Sequence, residues 1–248
     1  MLLKNKGKDM YKNIAIIGSS GSIGGALLKQ LALRPETEKI YAFSRNLPSE
    51  SLANVIYQRL NYNDESSIAQ AASIASKDMP LDLVLVATGI LQDGEIMPEK
   101  SLRDLSSEKF QHLFAVNTIL PALIAKHFLS KLDKDKCSIF AAISARVGSI
   151  SDNHLGGWYA YRASKAALNM VIKNAAIEMG RRYKEVIIIG LHPGTVDSKL
   201  SKPFQSHVPK DKLFTPEYSA ERLLTVLEHL TPEDSGKCFA WDGKEVKP

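Results

Sequence analysis

Residues Ile14 to Leu28 read IAIIGSSGSIGGALL. A short apolar run of strand type ends at Gly18, and Gly21 and Gly24 lead into a leucine-bearing segment with helical spacing. Glycines at such a junction let the backbone turn tightly and approach a pyrophosphate. The free N–H groups and dipole at the start of the helix favour that anion. Elsewhere in a chain a glycine cluster says little; after the first predicted strand it points to a dinucleotide site. The alternative is a flexible turn with no ligand. On the first reading Gly18, Ser19, Ser20, Ser22, Ile23 and Gly24 are the candidate contacts.

Beyond this turn, short apolar runs alternate with amphipathic segments. Helices are predicted from about Ser22 to Leu33, over Asp64–Ser76, from about Ser107 to Leu132, through Tyr161 to about Tyr183, and from Pro216 to His229. The strands are NIAIIGSS, KIYAFSR, VIYQRL, LDLVLVATG, CSIFAAIS, EVIIIGLHPG and a last one near KCFAWD. Strands apolar on both faces, alternating with helices, predict a doubly wound α/β fold: a parallel sheet with helices on both sides. No linker or repeat divides the chain. One domain is expected over residues 13–248, after a flexible lead-in over 1–12 that has lysines but no apolar signal region.

The 248 residues carry a net charge of +5, with 44% hydrophobic and 24% charged residues. The lysines are spread out, with no basic helix or aromatic platform, so no nucleic acid is expected as partner. No apolar run approaches the ~18 residues of a membrane span, so no membrane is expected either. Cys137 and Cys238 show neither disulfide nor metal spacing; a cytoplasmic protein with reduced thiols and no metal site is the expectation.

The second predicted strand ends in FSRN. A carboxylate there would take the adenosine ribose of NAD. Ser44 and Arg45 instead suit a 2′-phosphate through charge-assisted bonds, so NADP(H) is preferred, with NAD(H) possible.

In YRASK, Tyr161 and Lys165 lie four apart in the middle of a predicted helix, one turn above the other. Alone, the pair could be chance. Tyr159 is four residues from Ala163, so the spacing selects Tyr161. Upstream, FAVNTILPALIA places Pro121 four residues after Asn117. Proline has no N–H to give the Asn117 carbonyl, which predicts a kink there.

The glycine turn, Asn117, Ser144 in AAISARVGS, the Tyr161–Lys165 pair and HPGTVDS, in that order, resemble the short-chain dehydrogenase/reductase family from about Asn13 to Gly243. Within it, ARVGSISDNHLGGWYAYRASKAALNM and LHPGTVDSKLSKPFQ are similar to the branch of C-factor signalling proteins and small carbonyl reductases. The resemblance implies a single Rossmann-fold domain and an NADP(H)-dependent carbonyl reductase acting on a small carbonyl or secondary alcohol. It implies Tyr161 as general acid, Lys165 lowering its pKa, Ser144 orienting the carbonyl, and the Asn117 carbonyl holding a relay water. It further implies cofactor contacts at Asn61, Ala87, Thr88, Gly89, Pro193, Gly194, Val196 and Ser198, and a homodimer or homotetramer. The alternative is a low-turnover NADP(H)-binding signalling or sensing protein.

Two positions are open. Many relatives have the serine three residues before the glycine that here is Gly148, which is the place of Ala145; Ser149 is a further candidate. Residues at about 198–216 are expected to form a loop over the substrate. Trp158 could line the pocket or sit in the core, while His154 and His192 are expected to be structural.

Overall fold

The computed structural model describes residues 11–49, 51–94 and 96–248. In chain order the elements are β1 (Asn13–Ile17), α1 (Ser22–Ala32), β2 (Lys39–Ser44), β3 (Val55–Arg59), α2 (Glu65–Ala75), β4 (Leu83–Val86), α3 (Ser107–Phe114), α4 (Leu120–Phe128), β5 (Ser138–Ile143), α5 (Tyr159–Gly180), β6 (Val186–His192), β7 (Thr195–Val196), β8 (Leu213–Phe214), α6 (Pro216–His229) and β9 (Cys238–Ala240). Seven strands form one sheet in the order β3-β2-β1-β4-β5-β6-β9, every neighbouring pair parallel. This is the doubly wound Rossmann arrangement. The strand order reverses between β1 and β4 and opens a crevice at their C-terminal ends.

Side chains alternate across each strand, so both faces need cover. Ile14 and Ile16 pack with Leu27 and Leu31 of α1 and Leu223 and Leu227 of α6. Ala15 and Ile17 face the other way, toward Ile68 of α2, Ile124 and Phe128 of α4, and Leu168 of α5. That two-sided burial is why the strands read as unbroken apolar runs.

Five features depart from the sequence-based expectations. The helix predicted from Ser107 to Leu132 is interrupted by a π-helical turn at Ala115–Ile119, where Leu120 N–H reaches back to the Ala115 carbonyl. Pro121 follows directly, and such turns commonly mark functional positions. By length and composition the stretch Ser107–Lys131 could cross a membrane, contrary to expectation; half of its apolar window is buried inside the fold.

YRASK lies in the first two turns of α5, not its middle, because the chain enters through Trp158 at a left-handed φ of 52°. The expected lead-in gives way by Tyr11, which is buried with its hydroxyl donating to Leu227 O at 3.3 Å; residues 1–10 lie outside the described residues. The region after Ser198 holds the 3₁₀ turns Lys202–His207 and Lys210–Lys212, and β8 pairs with β7.

Phe128 is fully buried and meets Phe43 edge-on at 6.0 Å, joining α4 to β2. Phe128→Ala is expected to lower stability by ~3–5 kcal/mol, read from urea unfolding.

Candidate active site

β1 delivers the chain into Gly18, whose φ of 87° suits glycine. Gly18 and Ser19 N–H both donate to Phe43 O, at 2.8 and 3.2 Å, pinning the turn to the end of β2. A Cβ on Gly18 would come within 2.9 Å of the Ala87 carbonyl, and one on Gly24 would land on the Gly18 carbonyl. Backbone therefore lies on backbone across the β1–β4 crevice. Gly21, the N-cap of α1, has no side chain to occupy the amides of the first turn. This cradle fits a pyrophosphate. Ser19 does not add its hydroxyl, which donates to Phe43 O; Ser20 and Ser22 are exposed.

At the far end of the cradle the structure corrects one assignment. Ser44 is fully buried, and its hydroxyl donates to Asn46 O at 2.5 Å. It is the last strand residue and its side chain is turned back into its own loop, so Arg45 carries the charge there without it. The exposed guanidinium lies 5.7 Å from the ring of Tyr62, a residue the sequence did not single out. Burial raises the Tyr62 phenol. Asn61 uses its Oδ1 to accept Asn63 N–H at 3.1 Å.

At the catalytic end, Asn117 is completely buried. Its Nδ2 donates to Ile90 O at 2.9 Å and Ser164 Oγ at 3.1 Å, and its Oδ1 accepts Ile90 N–H at 2.9 Å. Tyr161 and Lys165 are both buried on α5. The ammonium donates to Ile143 O at 2.9 Å and lies 5.9 Å from the tyrosine ring centroid. The expected lowering of the Tyr161 pKa is absent: burial pushes the phenol up to about 12 and the Lys165 ammonium down to about 8. Loss of hydration is the cause in both cases, since burial disfavours the charged form of each group.

A cavity of about 260 Å³ joins these residues. It runs from Ile23 and Ala87–Gly89, past Tyr161 and Lys165, to Pro193, Gly194, Val196 and Ser198. The Thr88 hydroxyl is buried there with no partner. The turn at Gly194 (φ 78°) is wedged by Phe214 and Trp241, and Ser219 Oγ donates to Pro193 O at 2.8 Å.

Ser144 borders the cavity, but its hydroxyl donates to Asn169 Oδ1 at 2.7 Å; Ala145 is the neighbour that packs with Tyr161. One step along the chain decides the face, and Ser144 takes the α5 side. Ser149 is also engaged elsewhere, accepting Asp152 N–H. Trp158 belongs to the pocket, its ring 6.2 Å from Tyr161 and 5.1 Å from Phe204. His192, expected to be structural, lines the cavity with Nδ1 buried and unpartnered. No motif spacing pointed to Tyr62 or His192, whereas the count back from Gly148 had already singled out the place of Ala145.

A protein-family model described as short chain dehydrogenase matches residues 12–209. A 1-hydroxy-2-glutathionyl-2-methyl-3-butene dehydrogenase of Rhodococcus sp. (strain AD45) is 32% identical over 181 residues, 73% of this chain and 74% of that protein. The C-signal protein of Myxococcus xanthus is 31% identical over 146 residues, 59% of this chain and 82% of the relative. Among solved structures, an NADPH-bound carbonyl reductase from chicken fatty liver matches with a TM-score of 0.81 at 24% identity, covering 95% of this chain and 93% of that one.

The depressed Lys165 pKa predicts a pH signature. The unfolded chain holds a proton that the folded lysine gives up, so the cost is complete below about pH 8 and fades as pH rises toward 10.5. Lys165→Met removes ~3 kcal/mol of that cost at neutral pH and gives back ~1 kcal/mol for the lost bond to Ile143 O. Urea unfolding is expected to find the variant ~2 kcal/mol more stable at pH 7 and no more stable at pH 10.5. A stability difference independent of pH would contradict the desolvation of Lys165.

Proposed function

The chain belongs to the short-chain dehydrogenase family of oxidoreductases, and on that premise we propose that it is an NADP(H)-dependent reductase of a small carbonyl compound. The observation that carries this reading is the placement of Tyr161 and Lys165, buried side by side in one cavity with Thr88, Gly89 and the Pro193–Gly194 turn. A ligand that only needed a nucleotide cradle would not need a phenol at its end.

When bound, the nicotinamide supplies a hydride. The first-turn amides of α1 would hold its pyrophosphate, and Arg45 an adenosine 2′-phosphate. The buried Thr88 hydroxyl, Lys165 and the turn through Val196 and Ser198 would hold the nicotinamide end. A cation and no carboxylate at the end of β2 favours NADPH over NADH, and a structural neighbour is NADPH-bound.

The raised pKa keeps the Tyr161 phenol protonated at neutral pH, which suits a donor to the carbonyl oxygen and hence the direction of reduction. Lys165 keeps a positive charge next to that phenol. Pro121 breaks the backbone ladder where the π-helical turn ends, and the Asn117 carbonyl beside that break is assigned to a water that returns a proton toward Lys165. A cytoplasmic location and a homodimer or homotetramer go with this reading. Exposed Ile119, Met170 and Ile177 on the long helices support the oligomer.

A second reading, a low-turnover NADP(H)-binding signalling protein, draws on Ser144 and Ala145. With the Ser144 hydroxyl on Asn169, Tyr161 has an alanine beside it where a carbonyl-orienting hydroxyl would help. The C-signal relative lends weight to it.

Absorbance assays of NADPH oxidation with a carbonyl panel decide between the two. Tyr161→Phe is expected to lower kcat by about a hundredfold to ten-thousandfold with NADPH binding retained in fluorescence titrations. Reduction should be flat with pH below, and fall above, about pH 8 as Lys165 loses its proton. Tight NADPH binding without turnover of any carbonyl would favour the signalling reading. Ala145→Ser is expected to raise kcat roughly tenfold or more by offering the carbonyl a donor beside Tyr161; an unchanged kcat would rule out that register.

A further inference from the structure

The pocket in front of Tyr161 has a polar corner that proton donation does not use. Its walls are apolar: Leu91, Val147, Trp158, Leu200 and Phe204 surround Ala145 and Tyr161. Among the described residues, no Asp or Glu lines it. Arg146 and His192 do line it, one following Ala145 and the other ending β6.

Arg146 stands in the short 3₁₀ turn Arg146–Gly148, which is held in place because Gly148 presses on the Lys165 backbone, where a Cβ would come within 2.9 Å. Its ion pair with Asp152 is long, 3.7 Å, and half exposed on both sides, so it holds the guanidinium weakly. His192 has the opposite problem. Its Nδ1 is buried in the pocket wall without a partner, an arrangement that calls for a ligand or water to meet it. Burial, with help from the Arg146 charge, pushes this imidazole down to about 4, so the ring is neutral and carries one N–H. The acidic group that acts on it, Asp242, is paired with Lys244 at 3.2 Å. Lys165, the other cation of the pocket, donates to Ile143 O and on the reading above serves the nicotinamide end.

We propose that Arg146 and His192 form an anion-reading corner next to Tyr161, so that the substrate is a carbonyl compound with an apolar or aromatic body and a carboxylate beside the carbonyl. This rests on the reductase reading above. The guanidinium offers a planar fork that matches a carboxylate through two parallel bonds, and the imidazole adds a neutral donor. The aromatic wall takes the body of the substrate, which leaves the carbonyl oxygen toward the phenol of Tyr161. Arg146 and His192 are specificity-determining residues in this arrangement; Tyr161 remains the proton donor.

The test uses the full chain with NADPH and two matched probes, benzoylformate and its methyl ester. The wild type is expected to turn over the acid with the higher kcat/KM. In Arg146→Gln the acid-to-ester ratio of kcat/KM should fall about ten- to a hundredfold, and in His192→Phe in the same direction. Added salt should lower the ratio in the wild type and not in Arg146→Gln. An ester preferred by the wild type, or a ratio unmoved by Arg146→Gln, overturns the anion corner while leaving carbonyl reduction in place.

Binding separates the two claims further. If benzoylformate quenches the tryptophan fluorescence of the NADPH-loaded wild type and not of Arg146→Gln, with neither probe turned over, the anion corner stands and the reductase reading falls. Neither binding nor turnover of the acid, with the ester reduced, overturns the corner; inertness toward both probes overturns both claims.

Discussion

The carboxamide of Asn117 ties together two parts of the chain that the cleft requires to be adjacent. It closes a two-way bridge with the main chain of Ile90, just past β4, and donates a third bond to Ser164 on α5. Thr118 adds a bond from its hydroxyl to Ser164 O at 2.8 Å. With no exposed surface, Asn117 has no water to replace those partners, so loss of any of them would leave a buried polar group unmet. The π-helical turn at Ala115–Ile119 carries Asn117 itself. An uninterrupted α-helix would rotate and displace every residue after the turn, Pro121 and Phe128 included. The cofactor cradle and the tyrosine helix face each other because this turn and this side chain hold them.

Stability is given up around that clamp for the sake of the site. Trp158 adopts a left-handed φ of 52°, alone among the non-glycine described residues, at a cost on the order of 1–3 kcal/mol. Glu99 holds it there: its main-chain oxygen accepts Trp158 N–H at 2.6 Å, and its buried carboxylate accepts Ala160 N–H at 3.3 Å. The strain starts α5 just ahead of Tyr161 and turns the Trp158 ring onto the substrate pocket. Burial of Tyr161 and Lys165 is the second sacrifice. It moves both pKa values away from the charged forms, giving a phenol that keeps its proton and an ammonium that holds its own loosely.

Gly18 and Gly24 were legible because their requirement is local to the chain and severe: backbone packs on backbone, and a methyl group has nowhere to go. The paired spacing of Tyr161 and Lys165 was legible for a similar reason, since four residues on a helix always share a face. Ser44 and Ser144 were not. Each sits at the end of a strand, where the chain leaves the regular alternation and a neighbouring backbone or side chain claims the hydroxyl, Asn46 O in one case and Asn169 in the other. No spacing along the chain encodes that competition.

The linear order of residues determined the seven strands, their two-sided burial, the parallel sheet and the place of the glycine cradle. Apolar periodicity and glycine sterics act over a few residues and need no partner to be read. Tertiary structure alone decided that Ala145 stands beside Tyr161, that Trp158 faces the pocket, that Tyr62 lies under Arg45, and that Arg146 and His192 share one corner. These groups come from β2, β3, β5, β6 and α5 or the turns that follow or precede them, far apart in the chain. Their meeting depends on how the sheet stacks its C-terminal ends, and on where burial removes water from a phenol, an ammonium and an imidazole.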